Sequence, residues 1–131
     1  MIAEFSLRTQ KRTELIDVTI QIEQALPKSG SGFCRFFVPH TTAGVIINEN
    51  ADPSVAMDIS EYLSKLVPHR QEWRHTEGNA DSHVKAALVG STTGAPYSDG
   101  KLLLGQWQGV FFCEFDGPRS RRLILHISPD K

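Results

Sequence analysis

Three short stretches gather the side chains that can do chemistry. The first, Pro39–Pro53 (PHTTAGVIINENADP), opens with His40 where the apolar run Phe33–Val38 ends, and closes on Asn48, Glu49, Asn50 and Asp52. The second, Glu77-Gly78-Asn79-Ala80-Asp81-Ser82-His83, stands at another helix start, with Lys85 just beyond it. The third places Arg119, Arg121 and Arg122 directly after the turn Asp116-Gly117-Pro118. Imidazoles at such boundaries donate to a leaving group or ligate zinc and other transition metals. Oxygen ligands from Asp81, Glu49 or Glu77 suit magnesium instead. The residue types do not choose between these metals. Guanidinium groups match an oxyanion in bidentate fashion, so the arginine cluster reads as a phosphate clamp or as a solvated, charged hairpin.

The first turn of the helix near residue 81 poses an electrostatic problem. Its N-terminus attracts anions, yet Asp81 would fill the same positive end and repel a phosphate. The two coexist if a divalent cation or protonated His83 lies between them. In the plainer reading Asp81 only caps the helix. Of the five histidines, His40 and His83 are the site candidates because each joins an apolar element to a polar turn. His75 lies within reach of a cleft, His69 reads as solvated, and His126 as partly buried on the last strand. Alternation puts Arg119 and Arg121 on one face and Arg122 on the other. Trp107, between small and amide residues in Gly105-Gln106-Trp107-Gln108-Gly109, suits either a flat ligand or the core.

The elements that must position these groups follow from periodicity. Ala3, Phe5 and Leu7 alternate with polar residues as a strand does. A strand to about Asp17 is followed by a short helix, capped by Asp17 or Thr19 and stopped by Pro27. Asp52 and Pro53 start a longer helix with Val55, Ile59, Leu63 and Leu66 on one face, ending before Pro68. Asn79 or Asp81 caps a shorter helix with a core stripe of Val84 and Leu88 and a stop at Gly90. Ser91–Gly100 reads as turn and loop, and Asp99-Gly100 as a hairpin turn. The last third reads as three strands: Lys101–Gln106, Gly109–Asp116 and Ser120–Ser128. The expectation is a single α+β domain over residues 1–131, mainly antiparallel and sandwich-like, with two or three short helices.

A formal net charge of −1 with mixed signs argues against a nucleic-acid binder using a broad basic face. No apolar run approaches a membrane span, and the N-terminal residues lack the apolar segment of a signal peptide, so a cytoplasmic protein is expected. Cys34 and Cys113 lie in apolar strands and read as buried free thiols.

The runs HTTAGVIINENADP, EGNADSHVK and LGQWQGVFFCEFDGPRSRR, in this order, resemble the YjbQ family, also called the secondary thiamine-phosphate synthase family. The resemblance spans Phe36–Leu125 and is diffuse before that. It implies an α+β fold around antiparallel sheet, a homotrimer with pockets near subunit contacts, and a weak thiamine-phosphate synthase activity. Motif by motif, it assigns His40, Asn48 and Glu49 to the first block and Glu77, Asp81, His83 and Lys85 to the second. Gln106, Trp107, Gln108, Glu114, Arg119 and Arg121 fall in the third. A valine is more usual where Gly94 stands.

Two functions follow as expectations. In the first, a pyrimidine diphosphate ionises, loses pyrophosphate and is captured by a thiazole phosphate nitrogen. His40, Asp81 and His83 act in catalysis or as metal ligands, and Asn48, Glu49, Lys85, Trp107, Arg119 and Arg121 hold the phosphorylated substrate. In the second, the same pocket holds a metal or small anion without turnover. Both require the clusters around His40 and Asp81 to share one charged hollow.

Overall fold

The computed structural model describes all of residues 1–131. The chain runs β1 (Ile2–Arg8), β2 (Glu14–Asp17), α1 (Thr19–Ala25), β3 (Ser31–Phe37), β4 (Ala43–Glu49), α2 (Pro53–Leu66), α3 (Ala80–Val89), β5 (Thr92–Ser98), β6 (Lys101–Leu102), β7 (Gln108–Glu114) and β8 (Ser120–Pro129). One sheet has the order β1-β8-β3-β5-β6 and the other β2-β7-β4, with every pairing antiparallel. This is the expected mainly antiparallel α+β fold with three helices.

The main core lies between the sheets. Cys34 and Phe36 of β3 and Leu123, Leu125 and Ile127 of β8 pack with Val45 of β4, Val110 and Phe112 of β7, and Ile22 of α1. A smaller core, with Ala86, Cys113 and Phe115 at its centre, joins the other face of the second sheet to Leu63 of α2 and Val89 of α3. The sheet of three is therefore covered on both faces. That explains why β7 is apolar in nearly every position instead of alternating, as strands buried on both sides are. Burial raises the Cys34 and Cys113 thiols to about 11 and about 12, so both remain protonated at neutral pH.

Local signals act where expected at several points. Asp52 accepts the Ser54 amide at 2.9 Å with Pro53 opening α2. Asp17 accepts from the amide and hydroxyl of Thr19. The Asp99-Gly100 turn has φ of 50° and 80°, the doubly positive pair that joins twisted strands in a two-residue hairpin.

Four expectations are corrected. Residues 92–98 form β5, despite Gly94 and Pro96. Gly94 suits the strand because a Cβ there would lie 2.6 Å from the Phe33 ring and 2.7 Å from the Cys34 carbonyl. Pro96 is tolerated because its carbonyl accepts Leu103 N–H, so its missing donor faces the short edge strand and not β3. Second, β6 stops at Leu102 and residues 103–107 form a loop. Third, Leu66 is exposed, and α2 buries no residue completely. Fourth, α3 is rotated from its expected face: Val84 and Leu88 are 37% and 59% exposed, while Asp81, Ser82, Lys85 and Ala86 face inward.

Gly44 sets how closely α3 approaches β4. A Cβ there would sit 2.7 Å from both the Gly90 carbonyl and Val89 Cγ1. Gly44→Ala is expected to cost about 1–3 kcal/mol, the usual range for overpacking a close contact. Urea unfolding of the variant checks this, and a midpoint equal to wild type would contradict the packing described.

Candidate functional site

The site is framed by two networks of buried charge. In the first, Glu114 at the end of β7 meets Arg121 near the start of β8, so the pair links the two sheets. Arg121 Nε donates to Glu114 Oε1 at 2.8 Å, Nη2 donates to Oε2, and Thr9 Oγ1 adds a bond of 2.7 Å. Burial pushes the Glu114 carboxyl up, but hydrogen bonds from Arg121, Asp116 N–H and Thr9 outweigh it and hold the group below its ordinary range. Arg121 Nη2 also donates to Thr42 Oγ1 at 2.8 Å, and the Arg122 amide donates to His40 Nε2 at 3.1 Å. Two successive residues of β8 thereby fix the loop between β3 and β4.

The second network lies under α3. Asp81 is fully buried and receives Arg12 Nη2 at 3.0 Å, Lys85 Nζ at 3.1 Å and His69 Nδ1 at 3.1 Å. Burial alone would raise its pKa; the hydrogen bonds from Arg12, His69 and Lys85 prevail and hold it well below the usual carboxylate range. Asp81 therefore does not cap the helix. The N-cap is Asn79, whose side chain turns instead to Asp116 Oδ2 at 2.9 Å and His75 Nε2 at 2.9 Å. Asp116 Oδ2 also accepts Arg119 Nη2 at 2.9 Å within the β7–β8 turn, and its bond from Asn79 ties that turn to the start of α3.

These ties leave an open hollow of about 400 Å³ among His40, Thr42, Asn79, His83, Arg119 and Arg121, with Glu77 and Asp116 at its wall. His40 and His83, 43 positions apart in the chain (83 − 40), thus line the same space. Arg121 and Arg119 each bind protein through Nε and Nη2, and Nη1 of each makes no hydrogen bond within the protein. His40 has its pKa lowered, first by burial and then by the Arg121 charge. Because its Nε2 accepts the Arg122 amide, the neutral ring carries its proton on Nδ1 and can only donate there. The hollow is therefore rich in donors suited to an oxyanion.

Other expected site residues lie elsewhere. Asn48 and Glu49 end β4, a strand about 20 Å long whose other end follows the loop that carries His40. They pair with Gly109 and Gln108, which places them beside Trp107, a turn residue 58% exposed. Asp81 and Lys85 are sealed in their mutual ion pair and line no part of the hollow. Asp81 consequently does not join His40 and His83 as a ligand set, and no three His, Cys, Asp or Glu side chains converge to hold a metal ion. His126 is exposed, not half-buried. His69 is exposed, as read, and its Nδ1 lies 3.1 Å from Asp81 Oδ1. Arg12, Thr42 and Asp116 gain roles that the sequence reading missed. The only forward signal was the position of Asp116 within the turn that introduces the arginines.

The structure defines a two-sheet α+β protein with a donor-rich hollow where β4, α3 and β8 converge. The profile described as UPF0047 protein YjbQ-like matches residues 3–130, and the chain belongs to that family. It is 49% identical to the UPF0047 protein MJ1081 of Methanocaldococcus jannaschii, over all of this chain and 96% of the relative. UPF0047 protein YugU of Bacillus subtilis is 44% identical over 97% of this chain and 98% of its own. Among solved structures, a yjbq/upf0047 family protein from Clostridium acetobutylicum superposes with a TM-score of 0.92 at 44% identity, covering 96% of this chain and 99% of that one. Hypothetical protein APE1520 from Aeropyrum pernix gives 0.92 at 34% identity, covering 99% of each chain.

A carboxylate held below its unfolded pKa binds protons less tightly when folded, so its stabilisation exists above the unfolded value and is lost on acidification. Asp81→Asn breaks a buried ion network and is expected to lower stability by about 3 kcal/mol at pH 7. The difference from wild type should shrink as pH falls below about 4, the ordinary aspartate value. Denaturant titrations at pH 7 and at acid pH check both statements.

Proposed function

We propose that the hollow binds the phosphate or diphosphate of a small organic molecule, in a cytoplasmic homotrimer that performs a thiamine-phosphate synthase-like transfer. In that reaction the carbon–oxygen bond of a pyrimidine diphosphate breaks, pyrophosphate leaves with the electron pair, and a thiazole phosphate nitrogen forms the new carbon–nitrogen bond. The observation that carries the proposal is the convergence of His40, His83, Arg119 and Arg121 on one hollow, with Nη1 of both arginines unused by the protein. Such groups stabilise departing pyrophosphate by position and charge. His40 donates through Nδ1, His83 offers a second imidazole, and Asp81 with Lys85 positions the helix start. A magnesium ion accompanying the diphosphate would take its remaining ligands from substrate oxygens and water.

Assembly is part of this reading. The outer face of the larger sheet exposes Phe33 and Phe37 of β3 and Ile2 of β1. Neighbouring copies of the chain would cover this face. A second reading, anion binding without turnover, is favoured by the pairing of Arg119 with Asp116 and Arg121 with Glu114, which leaves little net positive charge.

Calorimetry with pyrophosphate tests the common element. Arg119→Ala and His83→Ala are each expected to weaken binding about 10-fold while melting with the wild type, since the first removes a charge-assisted contact and the second an imidazole hydrogen bond. Unchanged affinity in both would end the proposal. Pyrophosphate release from the two precursors separates the readings: turnover lost in His83→Ala supports transfer, and binding without turnover supports the second.

Light scattering should give a trimer for wild type and a smaller species for Phe37→Asp. A wild-type monomer at micromolar concentration would contradict the trimer.

A further inference from the structure

Arg12 lines no part of the hollow, yet it bonds to both of its walls. It lies in the β1–β2 loop, residues 9–13, which packs against the β7–β8 turn. On the turn side the Gly117 amide donates to the Arg12 carbonyl at 3.0 Å. Further along, the Arg119 amide donates to Thr9 Oγ1 at 2.8 Å, and the Thr9 amide returns a bond of 2.9 Å to the Arg119 carbonyl. A Cβ on Gly117 would collide with the Lys11 carbonyl and lie 2.7 Å from Thr9 Oγ1, so turn and loop are in direct contact. The loop is itself braced, because Glu14 Oε2 accepts the Gln10 and Lys11 amides at 2.6 and 2.9 Å.

On the helix side the Arg12 guanidinium forks onto Asp81, with Nη1 on Oδ2 at 3.2 Å and Nη2 on Oδ1 at 3.0 Å. Nη2 also reaches Ser82 Oγ at 3.4 Å, and Ser82 donates its own hydroxyl to the Phe115 carbonyl just after β7. Asp81 and Ser82 immediately precede His83 in the first turn of α3. A guanidinium–carboxylate fork fixes direction as well as distance, so the start of α3 is set relative to the loop that holds the turn. The Asn79–Asp116 bond joins the same two walls directly, but it pairs a neutral amide with a carboxylate already engaged by Arg119.

We propose that Arg12 is a positioning residue: it fixes the spacing between His83 on α3 and Arg119 on the turn, and so sets the fit of an anion that bridges them. Its backbone holds one wall and its side chain the other, so the covalent length of a single arginine is the gauge. A bridging anion meets both groups only at that spacing, and a shift of about 1 Å in a positioning group is already costly. The effect on the anion rests on the anion-binding reading above. Balancing the Asp81 charge is a separate duty, which Lys85 shares.

The test separates positioning from charge balance in the full-length protein. By calorimetry, pyrophosphate should bind Arg12→Ala about 10-fold more weakly than wild type. Guanidinium chloride at millimolar concentration, against matched sodium chloride, should restore much of the variant's melting temperature by returning a partner to Asp81. It should leave the pyrophosphate affinity low, because a free ion is not tied to the turn. Recovery of both together would reduce Arg12 to a counter-ion and overturn the proposal. Arg12→Lys keeps a charge on Asp81 but lacks the fork, so it should melt close to wild type and still bind pyrophosphate about 5-fold more weakly. Wild-type affinity in either variant would overturn the proposal. In the Arg12→Lys background His83→Ala should cost about 2-fold instead of about 10-fold, since His83 is no longer held opposite Arg119. Losses that simply multiply would count against the spacing role and sink it. If pyrophosphate fails to bind the wild type, the anion reading fails, and the spacing is read by NMR instead. The Asn79 side-chain amide, which spans the walls to Asp116, then reports the gap, its signals assigned by their loss in Asn79→Ala. Arg12→Lys should move those signals together with the His83 ring signals. A shifted His83 ring beside an unmoved Asn79 amide would confine Arg12 to the helix network and end the proposal.

Discussion

The buried pair of Glu114 and Arg121 is the constraint on which the site depends. Removing two charges from water costs several kcal/mol per ion in practice, and only good geometry with further hydrogen bonds repays it. Here both carboxylate oxygens are doubly satisfied: Oε1 by Thr9 and Arg121 Nε, and Oε2 by Arg121 Nη2 and the Asp116 amide. The pair sits where the two sheets meet, one partner on each. An apolar pair could join the sheets as strongly. It could not orient Thr42 or leave a guanidinium corner free at the hollow. The ionic solution couples the register of two sheets to the placement of functional donors.

The same logic accounts for α3. An amphipathic helix normally buries its apolar stripe. In this one, Asp81 and Lys85 turn inward because Arg12 and His69 complete their partners, and Ala86 is small enough to let the helix lie near β4. The helix is thus held by polar contacts beneath its first turns and by packing toward its end. Val84 and Leu88 are released to the surface. Inverting the helix is therefore coupled to presenting His83 and Asn79 toward the β7–β8 turn, where Ser82 also anchors by donating to the Phe115 carbonyl.

What could be read from the sequence was local. Asp52-Pro53 and Asp99-Gly100 act through neighbours two or three positions away, so their chemistry is visible in the chain itself. His40, His83, Arg119 and Arg121, drawn from all three motif blocks, line the same hollow. Long-range partners were illegible. Arg12 and Asp81 lie 69 positions apart, and nothing near Arg12 announces that it is the counter-ion of a buried carboxylate. Without that partner, periodicity could only assign Val84 and Leu88 to the core. Gly94 and Pro96 concealed β5 for a related reason: what makes them acceptable is the Phe33 ring on one side and a nearly unpaired edge on the other. The blocks that seemed to describe one site contain groups at both ends of β4 and β7, because a strand motif is continuous in sequence but extended in space.

The hollow that results works by direction more than by net charge. Each arginine is partly neutralised by its own carboxylate, and burial with the nearby Arg121 charge keeps His40 in its neutral form. The residues lining it include two arginines whose Nη1 groups bond to nothing in the protein, and His40, whose neutral ring donates only at Nδ1. Such preorganised donors are worth most where charge must be received at a defined position, since no reorganisation is needed when it arrives. A long-range positive field would draw anions indiscriminately and weaken steeply with salt. Fixed donors discriminate instead by the shape of the oxyanion and by whatever is attached to it.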